Sequence, residues 1–179
     1  MLENSTVRLR APEPNDLELL YVWENDPDVW RVSSTRGPIS RLALKGLIKQ
    51  ASLDIYETKQ LRLMIDALEA QPTTVGVADL FHFDPFHQRA EIGLLIGPPQ
   101  YRGKGIAHSA IELIEAYCFG FLKLRQLYCN VARSNERCVQ LFIGHGFELA
   151  GTKRMWLRAA QGWDDELLLQ RINPQYDQQ

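Results

Sequence analysis

The sequence has few cysteines, no long apolar run and no excess of charge. Its three cysteines, Cys118, Cys129 and Cys138, show no Cys-x-x-Cys spacing, which argues against a disulfide framework or a zinc knuckle and fits a reducing compartment. No apolar run approaches the roughly 18 residues of a membrane span, and the N-terminus lacks a signal-peptide core. A net charge of -2 argues against binding nucleic acid through bulk charge. We therefore expect a cytoplasmic protein with no nucleic-acid, membrane or metal partner.

The pattern of apolar residues predicts one α/β domain over residues 1–179. Strand-like and helical segments follow in the order strand, two helices, three strands, helix, strand, helix and two strands. Residues 23–40 are rich in turn formers and predict a surface loop, after which Ser40 is expected to cap a helix that runs to about Tyr56. The run AEIGLLIG, residues 90–97, is apolar on both faces and predicts a central strand covered on both sides.

Two glycines and two cations, residues 102–105, stand at the start of a predicted helix. Gly103 and Gly105 leave backbone N–H groups unshielded and permit positive φ angles. The helix adds its own free N–H groups and the positive end of its dipole, and Arg102 and Lys104 add charge. This combination suits a phosphate or a pyrophosphate.

Three phosphate-binding motifs can be compared with this cluster. A P-loop would need glycine in place of Pro98 and serine or threonine in place of Gly105, and the dinucleotide fingerprint would need a third glycine in place of His108. The loop Gln/Arg-x-x-Gly-x-Gly/Ala matches at every position of residues 100–105. A plain glycine-rich turn with solvated cations stays open as an alternative.

Two segments carry a resemblance to a known family. AEIGLLIGPPQYRGKGIAHSAIELIEAYCF, residues 90–119, resembles the acetyl-CoA motif of the GCN5-related N-acetyltransferase (GNAT) superfamily, and VARSNERCVQLFIGHGFELAGTKR, residues 131–154, resembles its next motif. Within the superfamily, the chain is similar to the branch of spermidine N-acetyltransferases and ribosomal-protein N-terminal acetyltransferases. The resemblance implies a single-domain mixed, twisted sheet with flanking helices, in which the fourth and fifth predicted strands splay into a cofactor cleft. It also implies an acetyl-CoA-dependent N-acetyltransferase.

The resemblance further implies which residues hold the cofactor. The pantetheine arm would lie along the exposed main chain of Leu94, Leu95 and Ile96. The pyrophosphate would lie on the amides of Arg102, Gly103, Lys104, Gly105, Ile106 and Ala107. Asn135 matches the asparagine that contacts the cofactor arm, and a helix N-cap is an equally good interpretation of it.

The implied reaction, direct attack of an amine on a thioester in a ternary complex, needs a group that removes a proton from the ammonium ion. Glu91 is the candidate catalytic residue, because it is a carboxylate inside an otherwise apolar strand. A salt bridge with Arg89 is the structural alternative for it. His87 is a candidate helper in the deprotonation.

One position departs from the family pattern. The family usually places tyrosine seven residues after the asparagine, as the acid that protonates the departing thiolate, and this chain has Phe142 there. Cys138, Tyr101 and Tyr128 are candidate replacements, and Cys138 is more simply a packed helical residue. A catalytically lapsed acyl-CoA sensor or structural subunit is therefore the alternative function.

The acceptor amine is left open between a polyamine, a protein N-terminus and an amino sugar. The acids and tryptophans of residues 23–30 suit a cationic amine and are equally typical of a plain surface loop. Trp156 and Trp163 lie in the predicted final hairpin, which makes a homodimer or a larger homo-oligomer plausible.

We expect Gly103→Glu to abolish acetyl-CoA binding, because it places bulk and negative charge where the phosphates are predicted to lie. Isothermal titration with acetyl-CoA measures the effect. An affinity equal to that of the wild type would contradict the assignment of residues 102–107.

Overall fold

Eight strands form one sheet in the computed structural model, which describes residues 2–33 and 35–176. The strands are β1 (Leu2–Glu3), β2 (Val7–Arg10), β3 (Leu61–Ala67), β4 (Thr73–Asp84), β5 (Arg89–Ile96), β6 (Gln126–Ala132), β7 (Glu148–Ala159) and β8 (Gly162–Ile172). Their order across the sheet is β1-β2-β3-β4-β5-β6-β8-β7. Neighbouring strands are antiparallel except β5 and β6, which are parallel. The expected mixed sheet is confirmed. The short strand β1 precedes the first strand that the sequence predicted, so the predicted fourth and fifth strands are β5 and β6 of the structure.

Helices connect these strands and flank the sheet. They are α1 (Leu17–Glu24), α2 (Pro27–Val32), α3 (Arg41–Gln50), α4 (Ile55–Thr58), α5 (Ile106–Glu115) and α6 (Glu136–Gly144). A π-helical segment, Ala116–Phe121, continues α5. Over the described part of the chain, no helix is both long and apolar enough to cross a bilayer.

The helix predicted to start at Ser40 is confirmed at its beginning and wrong at its end. Ser40 Oγ accepts a hydrogen bond from the Ala43 N–H at 3.2 Å, which is the expected cap. The helix ends at Gln50, and a separate short helix begins after Asp54, whose side chain accepts from the Tyr56 N–H at 2.6 Å. A second capping residue within the predicted helix therefore divides it in two.

The surface loop predicted for residues 23–40 is also partly wrong. Trp23 is a buried residue of α1, and α2 occupies the middle of the segment. Asp26 caps α2 by accepting from the Asp28 N–H at 2.8 Å, and Pro27 takes the first helical position. Aspartate followed by proline favours a helix start as well as a turn, so composition alone did not distinguish the two.

Both faces of the central strands are buried. The larger core lies under α5 and α6, and the smaller one consists of Leu20, Trp23, Leu44, Met64 and Val77, with α1 and α3 on that face. On β5, Ile92 belongs to the larger core while Leu95 packs against the smaller one. The prediction of a central strand covered on both sides is therefore confirmed.

The parallel pairing of β5 with β6 is short. It joins only Arg89–Glu91 to Gln126–Tyr128, and the two strands separate beyond Glu91. Each strand remains paired on its outer side, β5 with β4 as far as Ile96 and β6 with β8 as far as Ala132. The predicted splay between the two strands is confirmed, and it leaves a cleft whose walls are both held by other strands.

Trp23 packs directly on the backbone at the end of β5. A Cβ atom on Gly97 would lie 2.3 Å from Trp23 Nε1, a distance that non-bonded atoms do not reach. The glycine is therefore required for α1 to approach the strand this closely. The Gly97 N–H donates to the Val75 carbonyl at 3.0 Å, so the strand end cannot easily move away.

We expect Gly97→Ala to lower the free energy of unfolding by about 1–3 kcal/mol, because the indole or α1 must shift to admit the methyl group. Gly46→Ala is the matched control. Gly46 lies inside α3 with no atom within 4 Å of the new methyl group, so the same change should raise stability by up to about 1 kcal/mol. Urea unfolding measures both variants. A Gly97→Ala protein as stable as the wild type would contradict the close contact with Trp23.

Candidate active site

The glycine-rich loop forms a cradle of backbone amides between β5 and α5. Gly103 and Gly105 have φ angles of +77° and +80°, which favour glycine at both positions. The first hydrogen bond into α5 runs from the Ser109 N–H to the Gly105 carbonyl at 2.9 Å. Within the described residues, the N–H groups of residues 103–108 donate to no acceptor. Free N–H groups at a helix start suit an anion, so the loop conformation agrees with the sequence analysis, and the binding of a pyrophosphate here stays a prediction.

The cationic side chains near this cradle differ from expectation. Arg102 turns back onto the strand end, where Nε donates to the Ile96 carbonyl at 3.0 Å and Nη2 to the Gly97 carbonyl at 2.8 Å. Arg137 of α6, which sequence reasoning missed, approaches the loop instead. Its Nη2 lies 3.9 Å from where a Cβ atom on Gly103 would stand. A single arginine at the start of a helix gives no sequence signal that it faces another loop.

The three β5 residues predicted to hold the pantetheine arm border the cleft. Leu94, Leu95 and Ile96 pair with β4 on one edge and have no strand partner on the edge that faces β6. Unpaired strand edges offer N–H and C=O groups to an extended ligand. Residues 97–102 connect the free edge of β5 to the amide cradle, so the cradle follows directly from the end of the cleft.

Glu91 is the last β5 residue that pairs with β6, opposite Tyr128, and it therefore lies at the closed end of the cleft. Both oxygens of its carboxylate are held. Asn130 Nδ2 donates to Oε1 at 2.9 Å, and His82 Nδ1 lies 2.8 Å from Oε2. The side chain is 18% exposed, so the fixed carboxylate is still reachable from solvent.

The expected partners of Glu91 are wrong. Arg89 forms its salt bridge with Asp84 at 3.4 Å, and the backbone N–H of His87 donates to the same aspartate at 3.0 Å. The histidine that contacts Glu91 is His82, which lies at a β-bulge between Phe81 and Asp84. The bulge breaks the alternation of side chains, so period-2 reasoning did not reveal this contact.

A chain of polar contacts continues from Glu91 across the sheet. Lys153 of β7 donates from Nζ to Asn130 Oδ1 at 3.2 Å and to Glu166 Oε2 at 2.6 Å. Asn130 is thus fixed at both ends of its amide, with the oxygen toward Lys153 and the nitrogen toward Glu91. Its amide orientation is set by these two charged neighbours, and it presents a donor to the carboxylate.

The acids and tryptophans of residues 23–30 mostly have structural partners. Arg62 Nη1 donates to Glu24 Oε1 at 2.6 Å, and Arg62 Nε donates to Asp79 Oδ1 at 2.7 Å, where both acidic residues are buried. Trp30 Nε1 donates to the Glu24 carbonyl at 2.7 Å. Glu24 is therefore buried and already paired with Arg62, and the prediction that it suits a cationic amine is not supported.

Asn135 caps α6. Its Oδ1 accepts from the Cys138 N–H at 3.3 Å, which confirms the N-cap interpretation. The cofactor contact that the resemblance implies for the same residue stays a prediction. The two roles are compatible because the cap uses only the side-chain oxygen.

Phe142 is a core residue. It is 2% exposed and packs edge-on against Phe147, with ring centroids 5.0 Å apart. Among its candidate replacements, Tyr101 directs its hydroxyl to Glu69 at 3.4 Å, away from Glu91. Burial raises the pKa of Cys138 to about 11, so its thiol holds its proton tightly. Tyr128 borders Glu91, and burial together with that carboxylate raises the pKa of its phenol.

The family follows from comparison with known proteins. A family model described as "Acetyltransferase (GNAT) domain" matches residues 6–148, which is more than half of the chain. The chain therefore belongs to the GNAT acetyltransferase family. The expected superfamily, the enzyme class of N-acetyltransferases and acetyl-CoA as cosubstrate are confirmed.

The similar proteins point to one branch. The spermidine N(1)-acetyltransferase of Escherichia coli (strain K12) is 28% identical over 146 residues, 82% of this chain and 75% of that one. The spermidine N-acetyltransferase from Vibrio cholerae in complex with CoA and spermine has a TM-score of 0.84 at 25% identity, covering 95% and 97%. A dodecameric structure of the V. cholerae enzyme in an intermediate state has a TM-score of 0.80 at 25% identity, covering 97% of both chains. The expected similarity to the spermidine branch is confirmed.

We expect the alkylation rate of Cys138 by iodoacetamide to be low at neutral pH and to rise about tenfold per pH unit, because the thiolate reacts and the pKa is raised to about 11. Mass spectrometry of native protein measures the rate. Cys138→Ala is the control and should leave native protein unlabelled, since Cys118 and Cys129 are buried. A rate that reaches a plateau near pH 8 would show an activated thiol instead.

Proposed function

We propose that this protein transfers the acetyl group of acetyl-CoA directly to a primary amine, and that a polyamine or a protein N-terminus is the acceptor. One observation carries the proposal: the splay of β5 and β6 brings a free strand edge, an amide cradle and a held carboxylate onto one cleft. The similarity to spermidine N-acetyltransferases favours a polyamine. The whole chain, residues 1–179, would form this one domain.

In the proposed complex, the backbone of residues 94–96 holds the pantetheine arm and the amides of residues 102–107 hold the pyrophosphate. The unpaired N–H groups of residues 103–108 support the second assignment. Arg102 is an exception within this range, because its side chain is bound to the end of β5 and its backbone N–H donates to the Pro99 carbonyl at 3.0 Å. We therefore assign Arg102 a positioning role and leave the phosphate contacts to the residues that follow it. Asn135 is proposed to contact the cofactor arm through its side-chain nitrogen while it caps α6.

Glu91 is proposed to bind the ammonium group and to remove its proton before attack. Its position at the closed end of the cleft and its two fixed oxygens support this role. The neutral amine then attacks the thioester carbon, and the thiolate departs without an acetyl-enzyme intermediate. Because Phe142 has no hydroxyl, water at the cleft is proposed to carry the second proton, which the nitrogen loses as the amide forms, to the departing thiolate.

The burial of Phe142 also supports a second candidate, a lapsed enzyme that binds acyl-CoA as a sensor or a structural subunit. This candidate shares the amide cradle and needs no contribution from Glu91. The two functions therefore differ in what Glu91 does, not in whether CoA binds.

A homo-oligomer is part of the proposal. Trp156 and Trp163 of the β7–β8 hairpin are 61% and 63% exposed, which is unusual for tryptophan in an isolated chain. The dodecameric V. cholerae relative supports assembly of this chain into more than one copy. A cytoplasmic location stays a prediction.

We expect the wild type to release free thiol from acetyl-CoA only when an amine is present, with spermidine and spermine preferred over an N-terminal peptide and an aminoglycoside. Glu91→Gln should lower kcat by about 10²-fold or more with little change in CoA affinity, because it removes the base. A thiol-trapping assay and CoA titration measure the two effects.

Glu18→Gln is the matched control, because Glu18 is exposed on α1 and pairs with Arg41 away from the cleft. CoA binding without thiol release from any amine would favour the sensor. Absence of CoA binding would overturn both candidate functions.

A further inference from the structure

Within residues 2–33 and 35–176, the Glu91 carboxylate has one hydrogen-bond partner that can accept a proton. Asn130 only donates to Oε1, and its own oxygen is held by Lys153. His82 Nδ1 lies 2.8 Å from the other carboxylate oxygen. Because an amide does not titrate and an imidazole does, the two contacts on Glu91 differ in kind.

His82 connects the Glu91 carboxylate, which is mostly shielded from water, to the solvent. The Glu91 side chain is 18% exposed, whereas the His82 side chain is 73% exposed. A proton on Glu91 Oε2 is one hydrogen bond from an imidazole whose ring is largely in contact with water. On its other side, Glu91 is connected through Asn130 to Lys153 and Glu166, which form a salt bridge at 2.6 Å. These two residues cannot exchange a proton with the Glu91 carboxylate, because the amide that lies between does not titrate.

The backbone is shaped so that His82 reaches Glu91. Phe81 pairs with Glu91, so regular alternation would send the next side chain to the opposite face of the sheet. His82 instead has a φ of +48° at the β-bulge, in the left-handed region that L-residues seldom occupy. Strain of this kind is retained where the surrounding structure or a function requires it.

The other ionisable groups near Glu91 and His82 either pair with a different residue or exchange protons with water poorly. Arg89 pairs with Asp84 at 3.4 Å, on the strands adjoining the bulge. Tyr128, opposite Glu91 on β6, has a raised pKa because it is buried and faces the carboxylate. In the described part of the chain, no lysine or arginine lies within 4.0 Å of Glu91. His82 is left as the group that can pass its proton to water.

We propose that His82 is the exit for the proton that Glu91 removes from the acceptor amine, an inference that rests on the proposed function. The ammonium N–H bond breaks and Glu91 becomes a carboxylic acid. Glu91 Oε2–H then donates its proton to Nδ1 of neutral His82, which becomes imidazolium, and the carboxylate is restored. The imidazolium gives one proton to water or buffer, so each deprotonation yields one neutral amine, which then attacks the thioester, and one solvated proton. His82 thus acts through Glu91 as a relay and positioning residue.

We expect His82→Asn to lower kcat about tenfold or more at low buffer concentration, with little change in the KM for the amine. Asparagine tolerates the left-handed backbone, and its amide can still donate to Glu91, but it cannot relay a proton. Added imidazole should restore kcat in a saturable manner, because it replaces the missing ring. Steady-state rates across pH and buffer concentration measure this, and the wild type should depend on buffer far less than the variant.

His87→Asn is the matched control, because His87 is an exposed histidine five positions away that packs on Phe86. It should keep the wild-type rate and buffer dependence. A His82→Asn enzyme that keeps the wild-type rate at low buffer, or loses rate that imidazole does not restore, would overturn the relay alone.

A readout without catalysis tests the contact itself. In imidazole ¹⁵N spectra, Glu91→Gln should move the resonances of His82 and leave those of His87 in place. Unmoved His82 resonances would overturn the relay. A wild type that acetylates no amine would instead overturn the proposed function, and the relay with it, even if the spectra confirm the contact.

Discussion

The early end of pairing between β5 and β6 is the constraint on which the site depends. Two parallel strands in the middle of a sheet would normally continue to pair, because unpaired backbone groups are costly. Here each strand is fixed on its outer edge instead, β5 by β4 up to Ile96 and β6 by β8 up to Ala132. The two walls therefore cannot close, and the free edge of β5 is available to an extended ligand that supplies the missing hydrogen bonds.

The same face of the sheet carries two groups of acids in different electrostatic settings. Glu24 and Asp79 are buried and share Arg62, whose guanidinium contacts both carboxylates. Separation of that cluster would leave a charge without compensation, so it stabilises the fold. Among the described residues, Glu91 has only a histidine and an amide as side-chain partners. Its negative charge is therefore not cancelled by a permanent cation and remains available to an ammonium group.

The sequence predicted the features that depend on local pattern. The glycine loop, the cap at Ser40 and the two-sided burial of AEIGLLIG follow from residue type and spacing, and the structure confirms them. The splay of β5 and β6 followed from the family resemblance, since pattern alone does not report where pairing stops.

The features that sequence reasoning missed depend on contacts between distant segments. The bulge that turns His82 toward Glu91 has no glycine to mark it, and Arg137 reaches Gly103 from another helix. Arg89 was a reasonable candidate partner for Glu91, but the two lie two residues apart on a strand and Asp84 of β4 is closer to the arginine.

The free-energy costs of the two proton transfers explain how the proposed mechanism tolerates Phe142. An alkylammonium group with a pKa of about 10 costs roughly 4 kcal/mol to deprotonate at pH 7, whereas release of a thiolate with a pKa of about 8.5 costs only about 2 kcal/mol. Assistance to the amine is therefore the more demanding half of the reaction, and it is the half that we propose the held carboxylate and the exposed imidazole to serve.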